Sequence, residues 1–458
     1  MTFSPSRLAP FAVVLSLLAC GQDSGPPMPT GLTVIPGDGS ATLSWDENTA
    51  YNYTIFSAQA TEITRSNYES FPNAKVTWPV TSPYVLTGLT NEKPYAFLIN
   101  ARDGSGPAGD STASVTTTPH MRGSNWANGV TINAASDFRG ITYGQGRYVA
   151  VGSNGALYSC TYNGLATASS TGCPNGAAWT AETLPTATSS SPASTNDLNS
   201  VAYNSYTGQF VAVGAAGTIL RGIYSSTTKT ITWTSAYYSS SSSTLPTLYS
   251  VAAVGTGFVA VGASGTVITG ATTSSSSTYD TLSWTVQTSP TTKDLYSVAY
   301  LNSTYIVLGA GGTLLTAGSI GSWSTQTTGV TTDLYGIAYG TTGTAATATY
   351  LVVGSSGTLL RSTGLTSWTP VTGLKTGSAD LRSIAFGSQF VIAGAGQNIM
   401  SCDAANSTNG TANCDPSAGA NWTLAYSGGT ATLNKVLYGG GTYVAVGSTG
   451  SNMIAIDK

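Results

Sequence analysis

Apolar positions along this chain follow a two-residue beat. The stretch LYSVAAVGTGFVAVGASGTVITG, residues 248 to 270, contains two short apolar strands and part of a third, punctuated by glycines and free of charge. Alternation between glycine-bearing breaks predicts antiparallel strands. The same phrase recurs as DFRGITYGQGRYVAVGSNGALYS from 137, DLNSVAYNSYTGQFVAVGAAGTILRG from 197 and DLYSVAYLNSTYIVLGAGGTLLTAG from 294. It returns as DLYGIAYGTTGTAATATYLVVGSSGTLLRS from 333, DLRSIAFGSQFVIAGAGQNIMSC from 380 and TLNKVLYGGGTYVAVGSTGSNMIAI from 432, making seven copies. Residues 27 to 118 alternate as well, in GLTVIPGDGSATLSW, YTIFSA and YVLTGLTNEKPYAFLINARDGSG, but do not share the repeat.

The glycine closing the second strand of each copy falls at 152, 214, 262, 309, 354, 394 and 447, so the intervals run from 40 (394 − 354) to 62 (214 − 152). Units of about 40 to 50 residues built from several short strands predict propeller blades. Each copy supplies an inner strand (LYSVAY), a second (FVAVG), a third (GTLL) and, after a Ser/Thr-rich loop, a fourth marked by tryptophan. Trp179, Trp233, Trp284, Trp323, Trp368 and Trp422 follow the first six copies, and none follows the seventh. Trp126 precedes the first copy, which predicts that an N-terminal strand completes the last blade and closes the ring, leaving only short protected edges. Glycine is expected between VAVG and GTLL because a tight reversal demands positive φ.

Composition narrows the setting. The chain has 458 residues, of which 8% are charged, and a formal net charge of −3. Its basic residues are scattered, which excludes a nucleic-acid surface. The start, MTFSPSRLAPFAVVLSLLAC, combines a weakly basic end, a short apolar run and small residues before a cysteine, as a signal peptide does. Leu17-Leu18-Ala19-Cys20 resembles the bacterial lipobox, which implies lipidation at Cys20, a membrane anchor and, with Gly21 following, the outer membrane; ordinary secretion is the alternative. The remaining cysteines form two local pairs, Cys160 with Cys173 and Cys402 with Cys414, and predict two disulfides in an exported chain. A zinc site is a poor alternative because His120 is the only histidine.

Within residues 27–118 the proline-led start, Trp45, Tyr53 and the GLTNEKPY segment ending on Tyr95 resemble a fibronectin type III domain. The resemblance implies a β-sandwich in which Tyr95 packs at a sheet corner and bonds nearby backbone. Arg102-Asp103-Gly104-Ser105-Gly106 reads as a hairpin loop and not as an adhesion tripeptide, and the domain as a spacer. Residues 119–458 resemble bacterial seven-bladed propellers of the photosystem-assembly-factor type and the related Asp-box (sialidase-like) propellers. The Asp-box itself is poorly kept: Ser362-Thr363-Gly364 lacks the aspartate, and Ser401-Cys402-Asp403 is separated from Trp422 by an insertion. The expected architecture is all-β, with a signal peptide over 1–19, a lipidated linker over 20–26, the sandwich, and a seven-bladed propeller of four-stranded blades closed around Trp126.

Catalytic chemistry has thin support. Glycosidases need paired carboxylates, yet the repeat region has one glutamate, Glu182, and its arginines, Arg139, Arg147, Arg221, Arg361 and Arg382, mostly sit at unrelated blade positions. No serine-hydrolase elbow or credible base is present. Asp137, Asp197, Asp294, Asp333 and Asp380 share one position, with Thr247 and Thr432 completing the set. They are expected to accept N–H bonds in the turn entering the inner strand, the alternative being a carboxylate ring at a channel mouth. Two places later stand Arg139, Asn199, Tyr249, Tyr296, Tyr335, Arg382 and Asn434, variable residues in a fixed frame, which are candidates for recognition or for packing between blades.

The expected protein is a noncatalytic, monomeric envelope lipoprotein that needs no metal or cofactor and binds a protein or a glycan. The alternatives are a polysaccharide-active enzyme and an assembly factor for an envelope complex.

Overall fold

In the computed structural model the described residues are 25–91, 93–104, 106–119, 126–129, 131–162, 173, 179–185, 195–236, 246–275, 278–341, 348–387, 389–402 and 416–455. Cys20 and Cys414 lie outside them. Two compact units are present, one holding most of the residues up to 117 and the other residues 118 to 458 together with 35–41 and 86–93.

Among the residues up to 117, strands Thr33–Gly37, Ser40–Ser44 and Tyr84–Thr87 form one sheet, and Lys75–Val80, Asn52–Ala58, Tyr95–Arg102 and Val115–Thr117 form a second. Alternation in Ser40–Ser44 buries Ala41 and Leu43. Tyr95–Arg102 is instead buried almost throughout, because Ala96 and Leu98 on one of its faces pack with Phe56, Ile63 and Tyr68. Trp45 meets Tyr53 with ring centroids 5.4 Å apart. Tyr95 is buried, and its hydroxyl accepts from the Asn73 amide at 3.3 Å.

In the second unit the described residues form seven four-stranded antiparallel sheets. Their first strands are Phe138–Gly144, Leu198–Asn204, Leu248–Val254, Leu295–Leu301, Leu334–Thr341, Leu381–Phe386 and Leu433–Gly439. In the third sheet the order is Leu248–Val254, Gly257–Gly262, Val267–Ser275 and Thr278–Gln287, each strand beside its sequence neighbour. The seventh sheet departs from this rule: its fourth strand is Trp126–Asn128, pairing Trp126 with Ala455 and Asn128 with Met453. Each first strand touches the first strand of the next sheet, and Leu433–Gly439 touches Phe138–Gly144.

The second strands, such as Phe258–Val261, are buried on both faces, which explains their unbroken apolar character. Cores form between neighbouring sheets: Val211 and Val213 of one pack with Leu248, Val251 and Phe258 of the next. One sheet therefore cannot bury its own faces, and the phrase has to repeat.

The glycines have two roles, of which the sequence predicts one. Positive φ falls on two residues of the turn between the second and third strands, as in Ser264 (φ 54) and Gly265 (φ 73). The glycine closing the second strand is extended, with φ −165 at Gly262. Close approach, not handedness, requires it: a Cβ at Gly262 would lie 2.1 Å from the Thr247 carbonyl oxygen, and at Gly354 2.2 Å from that of Asp333.

Cys160 and Cys173 are disulfide-bonded with Cα atoms 5.6 Å apart. Cys402 is also a disulfide cysteine.

Candidate functional site

Pairing between the first two strands slips by one residue in every repeat sheet. Leu248 opposes Gly262 and Ser250 opposes Val261, so Tyr249 is skipped. The same bulge skips Arg139, Asn199, Tyr296, Tyr335, Arg382 and Asn434. A bulge re-aims the side chain it leaves unpaired, and these are the seven variable residues of the repeat. All seven line one cavity of about 450 Å³, with Asp137, Ser200, Ser250, Ser297 and Lys435.

Around this cavity the variable residues make contacts from sheet to neighbouring sheet. Arg139 Nη1 donates to Asn199 Oδ1 at 2.8 Å, and Asn199 Nδ2 to the Leu248 carbonyl at 2.8 Å. Tyr249 and Tyr296 lie 5.6 Å apart between centroids, and Tyr296 and Tyr335 5.7 Å. Arg382 stacks 4.8 Å from the Tyr335 centroid, and Asn434 Nδ2 donates to the Phe138 carbonyl at 2.8 Å. The three phenols are half-buried, and burial raises each of their pKa values first; Asp294 adds to this at Tyr249, Asp333 adds at Tyr296, and Arg382 opposes it at Tyr335.

The repeated aspartates work differently from the sequence expectation. Their carboxylates accept N–H bonds, but from the preceding sheet and not from their own turn. Asp197 Oδ1 takes the Asn154 N–H at 2.9 Å, Asp294 that of Ser264 at 2.8 Å, Asp333 that of Gly311 at 2.9 Å and Asp380 that of Ser356 at 2.9 Å. Asp137 takes the N–H of Thr449 in the last sheet at 3.0 Å. Each donor belongs to a residue held at positive φ, so the bond pins the turn that needs pinning. At Asp197 the bond from Asn154 is the main cause of a lowered pKa, with Arg139 beside it. Asp197 also pairs with Arg139 at 2.9 Å, and Asp380 with Arg382 at 2.8 Å.

Lys435 is the residue the sequence reading passes over. It follows Asn434 and opposes Val446, the register held by Ser200, Ser250, Ser297, Gly336 and Ser383 in other sheets. Aligned copies show the anomaly directly, as TLNKVLY against TLYSVAA. Desolvation lowers its pKa. Glu182 lies outside this cavity and accepts from the Ser159 hydroxyl.

No family model matches the chain, and no curated protein does. Among solved structures, YCF48 from Cyanidioschyzon merolae is similar, with a TM-score of 0.50 and 16% identity over 72% of this chain and 98% of that one. The WD40 β-propeller domain of Doa1 gives a TM-score of 0.43 and 9% identity over 70% of this chain and 92% of that one. The first likeness and the successive four-stranded sheets define the larger unit as a β-propeller.

Proposed function

We propose that this chain is a noncatalytic binding protein of the bacterial envelope, anchored through lipid at Cys20 and presenting a closed seven-bladed propeller beyond a fibronectin type III spacer. Its partner is a protein received at the cavity of the bulged residues. The supporting observation is that seven variable positions, each exempted from strand pairing by a bulge, line one polar cavity. Tyrosine and arginine are the residue types that carry protein interfaces. The tyrosines turn toward one another, with interplanar angles of 58° and 52°, and so offer no flat platform for a sugar ring. The repeat's likeness to photosystem-assembly-factor propellers agrees with a holding role.

The test is photo-crosslinking in the native envelope from a photoreactive residue at position 296, beside a glycan array. A discrete protein adduct, lost when Tyr249 and Tyr335 are also replaced by alanine, supports the reading. Saturable glycan binding abolished by the triple alanine variant replaces it with a lectin, and turnover of a polysaccharide replaces it with an enzyme.

A further inference from the structure

Lys435 is a cation without a counter-charge in the recognition cavity. The two arginines lining the same cavity are paired with Asp197 and Asp380. Among the described residues the Lys435 ammonium has neither an ion-pair nor a hydrogen-bond partner, although the side chain is half-buried. A desolvated, unpaired ammonium is costly, and an apolar or serine side chain at this register would avoid that cost, as serine or glycine does elsewhere.

The same cavity is also lined by hydroxyl donors. Ser200 Oγ accepts from the Val251 N–H at 3.3 Å, and Ser250 Oγ from the Val298 N–H at 3.2 Å. A hydroxyl that accepts in this way keeps its proton to give. Asp137, the aspartate that lines the cavity, accepts the Thr449 N–H, and among the described residues no carboxylate forms an ion pair with Lys435.

Resting on the protein-binding reading above, we propose that the cavity receives a carboxylate of the protein partner, with the Lys435 ammonium as its counter-charge and the lumen serines as further donors. A single carboxylate supplies the missing charge. A phosphate would bring more negative charge beside Asp137, which lines the same cavity, and is disfavoured by like-charge repulsion. The carboxylate is that of an acidic side chain or of a chain terminus.

The experiment probes a peptide array with the full chain, with Lys435→Met, with Lys435→Arg and with the triple tyrosine-to-alanine variant. Each peptide is printed as free acid and as terminal amide, with and without internal Asp or Glu, beside spots of a polyuronate and a neutral glycan. The expected result is binding that requires a carboxylate, falls at least about tenfold in Lys435→Met and is retained in Lys435→Arg. Free acid against amide then separates a terminus from a side chain. Peptides bound equally by wild type and Lys435→Met overturn this inference and leave the binding reading standing. Polyuronate binding lost in Lys435→Met, without peptide binding, overturns the protein source. A blank array for a sample that melts cooperatively removes the binding reading itself and the inference with it.

Discussion

At the residue scale, two atoms do unusual work: the hydrogen that stands for a side chain at the closing glycine of each repeat, and, in five of the seven repeats, the aspartate oxygen that crosses to the previous sheet. Replacing Gly354 by alanine forces a Cβ to within 2.2 Å of the Asp333 carbonyl, backbone against backbone, with no flexible side chain to yield. The variant should lose at least about 2 kcal/mol in chemical denaturation. Asp294→Ala removes the acceptor of the Ser264 N–H and should cost about 1 kcal/mol, whereas Asp294→Asn, which keeps an oxygen acceptor, should cost less.

Lys435 gives a prediction with a sign. Its folded pKa is depressed, so the protonated amine disfavours the fold; the penalty is complete below the folded pKa and fades as pH rises toward the unfolded value near about 10.4. Lys435→Met should therefore melt above wild type at neutral pH, with the gap closing on the alkaline side. The tyrosine titrations cancel in the difference between the two. A gap independent of pH would show that packing, not charge, sets it.

At the element scale, the sheets differ chiefly in how much of the fourth strand survives. Trp233, Trp284 and Trp422 lie inside fourth strands, while Trp179, Trp323 and Trp368 immediately precede fourth strands of two residues. Where the third strand carries a glycine, the indole fills the space: a Cβ at Gly222 or Gly270 would come within 2.9 Å of Trp233 or Trp284. Sheet one secures its short edge in another way, with buried Cys160 and Cys173 packed in the same core as Trp179. The bond closes a loop of 13 residues in sequence separation, and a Cys160→Ala, Cys173→Ala variant should lose about 2–3 kcal/mol of stability under oxidising conditions. Adding reductant to the wild type should reproduce part of that loss.

At the scale of the molecule, two links join residues far apart in the chain. Trp126 sits in a strand paired with the last described segment and packs near Tyr443, with centroids 6.5 Å apart. Asp137 holds the Thr449 N–H across 312 residues. On the closed-ring reading these are the seam, and a ring opened at the seam exposes two sheet edges. Trp126→Ala should cost about 3 kcal/mol and raise protease cleavage in the last sheet before the others. Cleavage that begins elsewhere would place the weakest join at another sheet boundary.

The sequence by itself determined the strands, the repeat, the strand that joins the last sheet and the seven variable positions, because each is written as local alternation or as recurrence of one phrase. Tyr249 and its counterparts stood out because their chemistry changes from copy to copy, and their fixed place two residues after the repeat Asp or Thr already implied a shared geometry. Only the tertiary structure decided where that geometry leads. Beside the bulge that frees these side chains, backbone passes too close to Gly262 and its equivalents for any Cβ, a contact that appears once two strands are laid together. Four of the aspartates reach turns 22 to 43 residues away in the preceding sheet and Asp137 one 312 residues away, contacts that only the packing of sheet on sheet brings about. The solitude of Lys435 likewise belongs to no local pattern: an amine lacks a counter-charge only with respect to everything else that the fold brings, or fails to bring, within reach.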